Sequence, residues 1–477
     1  MSGIIAEEMR RKGFHMDYTA YLNSLVGKRI GVIGFGVSNV PLVEALLSVG
    51  CDVTVCDQRS FDSLGENGEK AKAAGANFWL GAEYLDHLDF DVIFRTPGVL
   101  PTVPQLKAAA ERGALLTSEM EAFCALCPCK IIAITGSDGK TTTSTVTSEL
   151  LKHAGYTVHL GGNIGTPLFT RLPEIQHGDV AVLELSSFQL HSMMCRPDVA
   201  IITNLAPNHL DVHSDYQDYV TAKQNIYRHQ RTDQVLVLNR KDALTDAFTQ
   251  DAPGKVRFFS NVGPVENGVY VEDGVIYRTV NGTAAPILQT SDIRIPGAHN
   301  VENYMAAFAA LEGLISNEDC VAVARTFSGV PHRMELVREV SGVRFYNDSI
   351  ASSPSRTIAG LHAWPAPPII ILGGHDKHIP FDELGDEICL RAKAVVLCGE
   401  TAQPIREAIT KSKHYDPEKL PMVEKDDFRE AIETAYSMAQ PGDLVALSPA
   451  CSSFDKFKNF AERGNIFRSI VETLPEK

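Results

Sequence analysis

Apolar positions along this chain gather into short runs that stop at glycine, serine, asparagine or aspartate. Such runs are read as buried strands when they are four to six residues long and rich in β-branched side chains. They fall at residues 29–33, 52–55 and 91–94, then at 131–134, 157–160, 180–183 and 199–203, and last at 343–346, 369–372, 394–398 and 444–447. Between them lie stretches with helical spacing, at residues 17–26, 41–49, 140–151, 219–227 and 301–315. Strand–helix alternation of this kind predicts the α/β class with doubly wound, largely parallel sheets. Residues 232–295 break the pattern and look rich in strands and turns, with Asn267-Gly268 and Asn281-Gly282 as hairpin signals. Where the pattern changes, boundaries are expected near Ser118 and Val330. They give three domains, residues 1–118, 119–329 and 330–477.

One run has a distinctive sequel. Ile131-Ile132-Ala133-Ile134 leads into Thr135-Gly136-Ser137-Asp138-Gly139-Lys140-Thr141-Thr142-Thr143, and a helical pattern follows. Glycines let the backbone curl so that successive N–H groups face inward, and the helix N-terminus adds positive field for phosphate. Lys140 is then placed to reach β- and γ-phosphates, and the Thr141 hydroxyl to ligate Mg²⁺. The usual phosphate loop has glycine six residues before its lysine; Ile134 stands there, so this is a shortened form.

Other loops follow strands in the same way. Gly34-Phe35-Gly36-Val37-Ser38-Asn39 carries two glycines of a dinucleotide fingerprint, with Asn39 in place of the third and Asp57 about where a ribose-binding acid belongs. Ligands in open α/β sheets bind beyond the carboxyl ends of strands, so residues 34–39, Asp57, Arg59 and Thr96 are expected on one rim. Glu184 ends a predicted strand opposite the phosphate loop, a position suited to a Mg²⁺ ligand or to a helix-start acid, and the former is favoured. Asn163 lies in a second glycine-rich loop. His209 reads equally as a metal ligand or a capping side chain. Lys223, in a helical stretch, reads on its own as a surface lysine.

Composition removes several classes. The 477 residues carry a net charge of −15, which argues against a nucleic-acid partner. No apolar run approaches membrane-spanning length, and the first residues lack the apolar core of a signal peptide. Ten scattered cysteines suggest reduced thiols and a cytoplasmic location. Cys124, Cys127 and Cys129 cluster, but no second pair at zinc-ligand spacing accompanies them. A dehydrogenase is suggested by Gly34, Gly36 and Asp57, yet it leaves the phosphate loop, Glu184 and the last domain without a role.

Taken together, these motifs resemble the ATP-dependent Mur ligases, from about Arg29 to Phe467. Residues 135–142 are similar to the family's phosphate loop, 161–167 to its substrate loop and 204–211 to its metal-histidine motif. Gly297-Ala298-His299-Asn300 and Pro331-His332-Arg333 are similar to its adenine-side and hinge motifs. Residues 447–464 closely resemble the members that add D-glutamate. The resemblance implies a Rossmann-like domain that binds a UDP-linked substrate, a central ATPase and a Rossmann-like domain that receives the amino acid. The implied substrates are ATP, UDP-N-acetylmuramoyl-L-alanine and D-glutamate, used in cell-wall peptidoglycan synthesis by a monomer; a sister ligase adding another amino acid is the alternative. ATP would be met by residues 136–143, Asn300, Arg333 and Asp348. Two Mg²⁺ ions would be held by Thr141 and Glu184, and by His209 and a carbamylated Lys223. Lys140, His209 and Lys223 would be catalytic. The UDP-linked substrate would meet Gly36, Val37, Ser38, Asp57, Arg59, Thr96 and Asn163, and D-glutamate would meet Ser352, Lys377, Ser448 and Phe454. Ile350 stands where relatives often carry lysine and cannot supply that charge; Asn208 stands where an acid is common.

Overall fold

The structure is a computed structural model, and it describes residues 16–207, 212–295, 297–376 and 379–477. His209 and Lys377 lie outside the described residues. Among those described, the chain is mixed α/β and forms two compact units, one ending at Thr326 and the other beginning at Phe327.

The first unit contains two sheets. In the first, β1 (Arg29–Ile33), β2 (Asp52–Asp57), β3 (Asn77–Leu80), β4 (Val92–Arg95) and β5 (Leu115–Thr117) are all parallel, in the order β3-β2-β1-β4-β5. Residues 30–33 of β1 are all buried, as expected of a parallel strand covered on both faces. Helix Glu119–Leu126, N-capped by Ser118, carries the chain onward. The two sheets share one apolar core, which runs without a break from Val32 and Val55 to Ile131 and Leu183.

The second sheet is built from β6 (Lys130–Thr135), β7 (Val158–Gly162), β8 (Val180–Glu184), β9 (Val199–Ile202), β10 (Val235–Asn239), β11 (Lys255–Ser260), β12 (Gly268–Glu272), β13 (Val275–Val280) and β14 (Thr283–Gln289). Its order is β14-β13-β12-β11-β10-β9-β6-β8-β7, so β6 lies between β8 and β9 with its C-terminal end flanked by theirs.

The hairpin expected at Asn267-Gly268 is not formed there. β11 and β12 run parallel, and Gly268 instead opens β12 at φ 133°, where a Cβ would collide with the Phe258 carbonyl. Close approach of two backbones is the reason for that glycine. The turns lie at Asp273-Gly274 and Asn281-Gly282, each with two successive positive φ angles, as a two-residue hairpin requires. Asn267 serves the second of these, its Oδ1 accepting from Asn281 N at 2.9 Å.

Two helices start earlier than the pattern suggested. One is Ala298–Ala310. The other is Tyr216–Gln224, where Asp215 accepts from Asp218 N at 2.8 Å and fixes the start.

The second unit holds β15 (Glu335–Val340), β16 (Val343–Asn347), β17 (Ile369–Leu372), β18 (Ala394–Leu397), β19 (Met422–Glu424) and β20 (Leu444–Leu447). The order is β15-β16-β20-β17-β18-β19, and β15 alone is antiparallel. The last strand inserts between β16 and β17, creating the crevice at which such sheets bind ligands.

Candidate functional site

β6 delivers the phosphate loop into a crowded corner. Gly136 and Gly139 have φ of 151° and 77°, and a Cβ would strike Thr203 Oγ1 at the first and Asn303 Oδ1 at the second. The loop is pinned from beneath: Asp138 N donates to Asn204 Oδ1 at 2.9 Å, and Thr203 Oγ1 donates to Asp138 O at 2.6 Å. Ser137 Oγ meets the Tyr219 hydroxyl at 2.8 Å. Helix Lys140–His153 then begins with Gly139 as its N-cap, so no side chain caps its first turn. That leaves the N-terminal field directed at whatever anion the loop receives. Thr141 lies in this first turn. Thr143 faces inward instead, fully buried, with its hydroxyl donating to Asn303 Oδ1 at 3.2 Å. Asn303 also donates to Asn300 Oδ1, so Asn300 is tied to the same corner.

Two amines converge here. Lys140 Nζ donates to Gly136 O at 2.9 Å and Ser137 O at 2.8 Å. Lys223 is not a surface lysine: it is 1% exposed, and its Nζ donates to Thr135 Oγ1 at 3.2 Å and Gly136 O at 2.7 Å. The helix that begins at Tyr216 turns it inward under the loop. Burial first, and the Lys140 charge second, hold its pKa well below the usual lysine value. Both favour the uncharged form of the amine.

Glu184, at the end of β8, is 1% exposed. Its Oε1 accepts from Asn163 Nδ2 at 2.9 Å, while Oε2 is buried with no hydrogen-bond partner among the described residues. A carboxylate oxygen in that state is costly unless a cation meets it. A carboxylate oxygen of this kind suits Mg²⁺, which prefers oxygen ligands. Asn163 N also donates to Glu184 O at 2.8 Å, and a Cβ on Gly162 would collide with that carbonyl. The second glycine loop is therefore laced to the acid.

At the first sheet, Gly34, Asp57, Arg59 and Thr96 do share a rim. Gly34 has φ 80°, and a Cβ there would press on Thr96. Asp57 is engaged in this rim: Phe35 N donates to its Oδ2 at 2.7 Å, and Arg59 Nε to its Oδ1 at 2.9 Å. Burial opposes the charge on Asp57, but these donors outweigh it and keep its pKa below the usual carboxylate value. Gly36, Val37 and Ser38 form the crest of the loop, and Val37 is 80% exposed. Asn39, in the third glycine's place, donates from Nδ2 to Ile33 O and Gly34 O at 3.2 and 2.8 Å.

In the second unit, Asp348 and Ser448 meet. Ser448 Oγ is fully buried and donates to Asp348 Oδ2 at 2.8 Å, also reaching Thr357 Oγ1 at 3.2 Å. Burial raises the Asp348 pKa to about 7. Ser352 is half-buried, Phe454 is exposed, and Arg333 closes a short bridge with Val330.

Sequence reasoning passed over two arginines. Buried Arg463 donates to Ser349 O and Cys451 O through Nη2, to Ser452 O through Nη1 and to Ser349 Oγ through Nε, knitting the loops after β16 and β20. Arg95, at the end of β4, donates to Ser192 Oγ at 2.8 Å and joins the first sheet to the second. A buried charged residue inside a motif was the available signal at Arg463; at Arg95, it was an arginine ending an apolar strand.

Comparison with known proteins agrees with this arrangement. Residues 134–311 match the Mur ligase middle domain, and residues 332–451 match the Mur ligase, glutamate ligase domain. The UDP-N-acetylmuramoylalanine--D-glutamate ligase of Acetivibrio thermocellus is 46% identical over 95% of this chain and 98% of its own length. That of Clostridium botulinum (strain Alaska E43 / Type E3) is 45% identical over 96% and 99%. Among solved structures, a MurF from Acinetobacter baumannii superposes with a TM-score of 0.55 at 18% identity, covering 93% of this chain and 90% of that one. A UDP-N-acetylmuramoyl-L-alanyl-D-glutamate--2,6-diaminopimelate ligase gives 0.53 at 19% identity, covering 93% and 92%. These two share the fold.

Proposed function

The chain belongs to the Mur ligase family, and from that premise we propose that it joins D-glutamate to UDP-N-acetylmuramoyl-L-alanine, driven by ATP. The reaction serves peptidoglycan precursor synthesis, in the cytoplasm, with the protein acting as a monomer. Three functional domains, residues 1–118, 119–329 and 330–477, divide the work between UDP-linked substrate, ATP and amino acid. The outer two are Rossmann-like in this reading.

A carboxylate is a poor electrophile. Transfer of the γ-phosphoryl group to the terminal carboxylate of the UDP-linked substrate gives an acyl phosphate. The D-glutamate amine then attacks that carbon, and phosphate leaves. The residues 136–143 hold the nucleotide, with Lys140 countering β- and γ-phosphate charge. Thr141 and Glu184 would hold one Mg²⁺, His209 and Lys223 the second. When bound, these ions neutralise charge that develops on the transferred phosphoryl group. Lys223 would reach its ligand form when its uncharged amine adds CO₂, an N–C bond forming as one proton leaves to solvent, which gives an anionic oxygen donor where an ammonium would be repelled. Asn163 fixes the orientation of Glu184 and presents the second glycine loop to the muramoyl part. Gly36, Val37, Ser38, Asp57, Arg59 and Thr96 receive the uridine diphosphate end. Ser352, Lys377 and Phe454 would contact D-glutamate, with Ser448 acting through Asp348.

The observation that supports this most is Lys223, buried against Gly136 O of the phosphate loop with its pKa held well below the usual lysine value, together with buried Glu184 Oε2, which has no hydrogen-bond partner among the described residues. The test is phosphate release from ATP in the presence of UDP-N-acetylmuramoyl-L-alanine, screened across amino acids. Turnover with D-glutamate alone is expected. Equal turnover with L-lysine or meso-diaminopimelate would point to a sister ligase.

A further inference from the structure

His191, His213 and Asp218 form a cluster that none of the proposed ligation steps uses. One ligand atom from each lies within 4.8 Å of the others. His191 Nε2 is 3.1 Å from Asp218 Oδ1, and His213 Nδ1 is 2.8 Å from Asp218 Oδ2. The three come from separate places: His191 caps the short helix Ser187–Leu190, His213 precedes helix Tyr216–Gln224, and Asp218 lies in that helix's first turn. The His213 side chain is fully buried, and that of His191 is nearly so.

The geometry points to a transition-metal site, of the Zn²⁺ or Co²⁺ class, distinct from the Mg²⁺ positions. Two imidazoles and one carboxylate form a borderline-soft donor set that suits these ions and not Mg²⁺, which prefers oxygen alone. Three protein ligands on one side leave a fourth position for water. The far side of the set is built as well. His213 Nε2 is 3.0 Å from Ser187 Oγ, which holds the ring in place and directs Nδ1 at Asp218, as outer partners of metal-binding imidazoles do. The ring is further clamped between Phe188, stacked at 5.5 Å, and the edge of Tyr219 at 5.3 Å. His191 Nδ1 has no hydrogen-bond partner among the described residues, so this ring is not locked into one tautomer and can present Nε2 as a lone pair. In the protein alone, Asp218 can accept from both imidazoles in the tautomers that carry a proton on His191 Nε2 and His213 Nδ1. A metal ion takes the other tautomer of each ring: the proton sits on Nδ1 of His191 and on Nε2 of His213, where Ser187 Oγ accepts it, and His191 Nε2 and His213 Nδ1 face the ion as neutral donors.

The full-length protein, stripped with chelator and held in saturating Mg²⁺, is titrated with Co²⁺ and then with Zn²⁺. One equivalent of Co²⁺ with a visible ligand-field band is expected, displaced by Zn²⁺. His191→Ala and Asp218→Asn should each weaken that equivalent by at least tenfold. His191→Ala contributes no cap bond and guards against a folding failure in Asp218→Asn. Failure of the wild type to bind Co²⁺ under saturating Mg²⁺, or equal affinity in the wild type and His191→Ala, overturns the site. Ligase turnover in Mg²⁺ alone is measured on the same samples. It reads the proposed function separately.

Discussion

Two glycine loops of the first unit begin alike and end differently. Both leave a central parallel strand, β1 in one case and β6 in the other, and both open a helix whose first turn has no side-chain cap. Around residues 34–39 the polar groups close on one another: Asp57 takes Phe35 N and Arg59, and Asn39 takes two carbonyls. Its charge is balanced locally, and its crest offers an apolar Val37. Around residues 136–140 the charged groups crowd together. Two lysines converge on the same carbonyl, Gly136 O, and Glu184 keeps Oε2 without a hydrogen-bond partner among the described residues. Glycines therefore mark where a backbone can curl around a ligand. The buried charged groups gathered beside one of them are what set the two loops apart.

The largest effect expected from that contrast is at Lys140. Lys140→Ala should lower ligation by on the order of 10²–10³-fold or more, the range seen when one preorganised charge-stabilising donor is lost. Affinity for the UDP-linked substrate should hardly change. A parallel loss of that affinity, measured by calorimetry, would mean the two loops do not act separately.

Next is Lys223→Arg, which supplies a long basic side chain but cannot form a carbamate. Ligation should fall by on the order of 10²-fold, and the carbamate resonance seen with ¹³C-bicarbonate and Mg²⁺ should vanish. A fully active variant removes the carbamate from the mechanism.

At the other loop, Asp57→Asn should raise KM for the UDP-linked substrate by about tenfold, or ~1.4 kcal/mol, with KM for ATP unchanged. It carries a pH signature too. The folded pKa of Asp57 is lowered, so its contribution to stability is present above the unfolded value and is lost as pH falls through the folded one. The variant should therefore show a shallower loss of Tm on acidification than the wild type. An identical acid limb would show that the ion pair with Arg59 is not felt.

The smallest effect is at Asn39→Gly, which restores the missing glycine of the fingerprint. Two hydrogen bonds are lost and helix entropy rises, at a cost of about 1–2 kcal/mol by chemical denaturation. No NADH binding should appear. If it did, the loop would be a dinucleotide site after all.

The sequence pattern made the α/β class and the phosphate loop legible because both are local: apolar runs, glycines and a lysine in a fixed order. Lys223 was not legible from its surroundings in the chain. Nothing in its helix reveals that the helix starts at Tyr216 and turns the amine under a loop that precedes it by more than eighty residues. Asn163 was expected at a substrate, and its bond to Glu184 depends on the pairing of β7 with β8. Ser448 was expected to present its hydroxyl and is closed over by Asp348 and Thr357. Asn267-Gly268 carries a hairpin signature, but the glycine is needed for backbone approach and the turn falls at Asp273-Gly274. In each case a contact distant in sequence decided the outcome.

The lacing of Asn163 to Glu184 has a thermodynamic consequence. One amide side chain and one backbone N–H bind the acid to the glycine loop, so neither can shift without work on the other. A ligand on that loop and a cation on that acid are then linked functions of one another. Whatever factor the first imposes on the affinity of the second is returned in full, with the same sign. Cation dependence measured with and without the muramoyl ligand would give that single coupling constant from either direction.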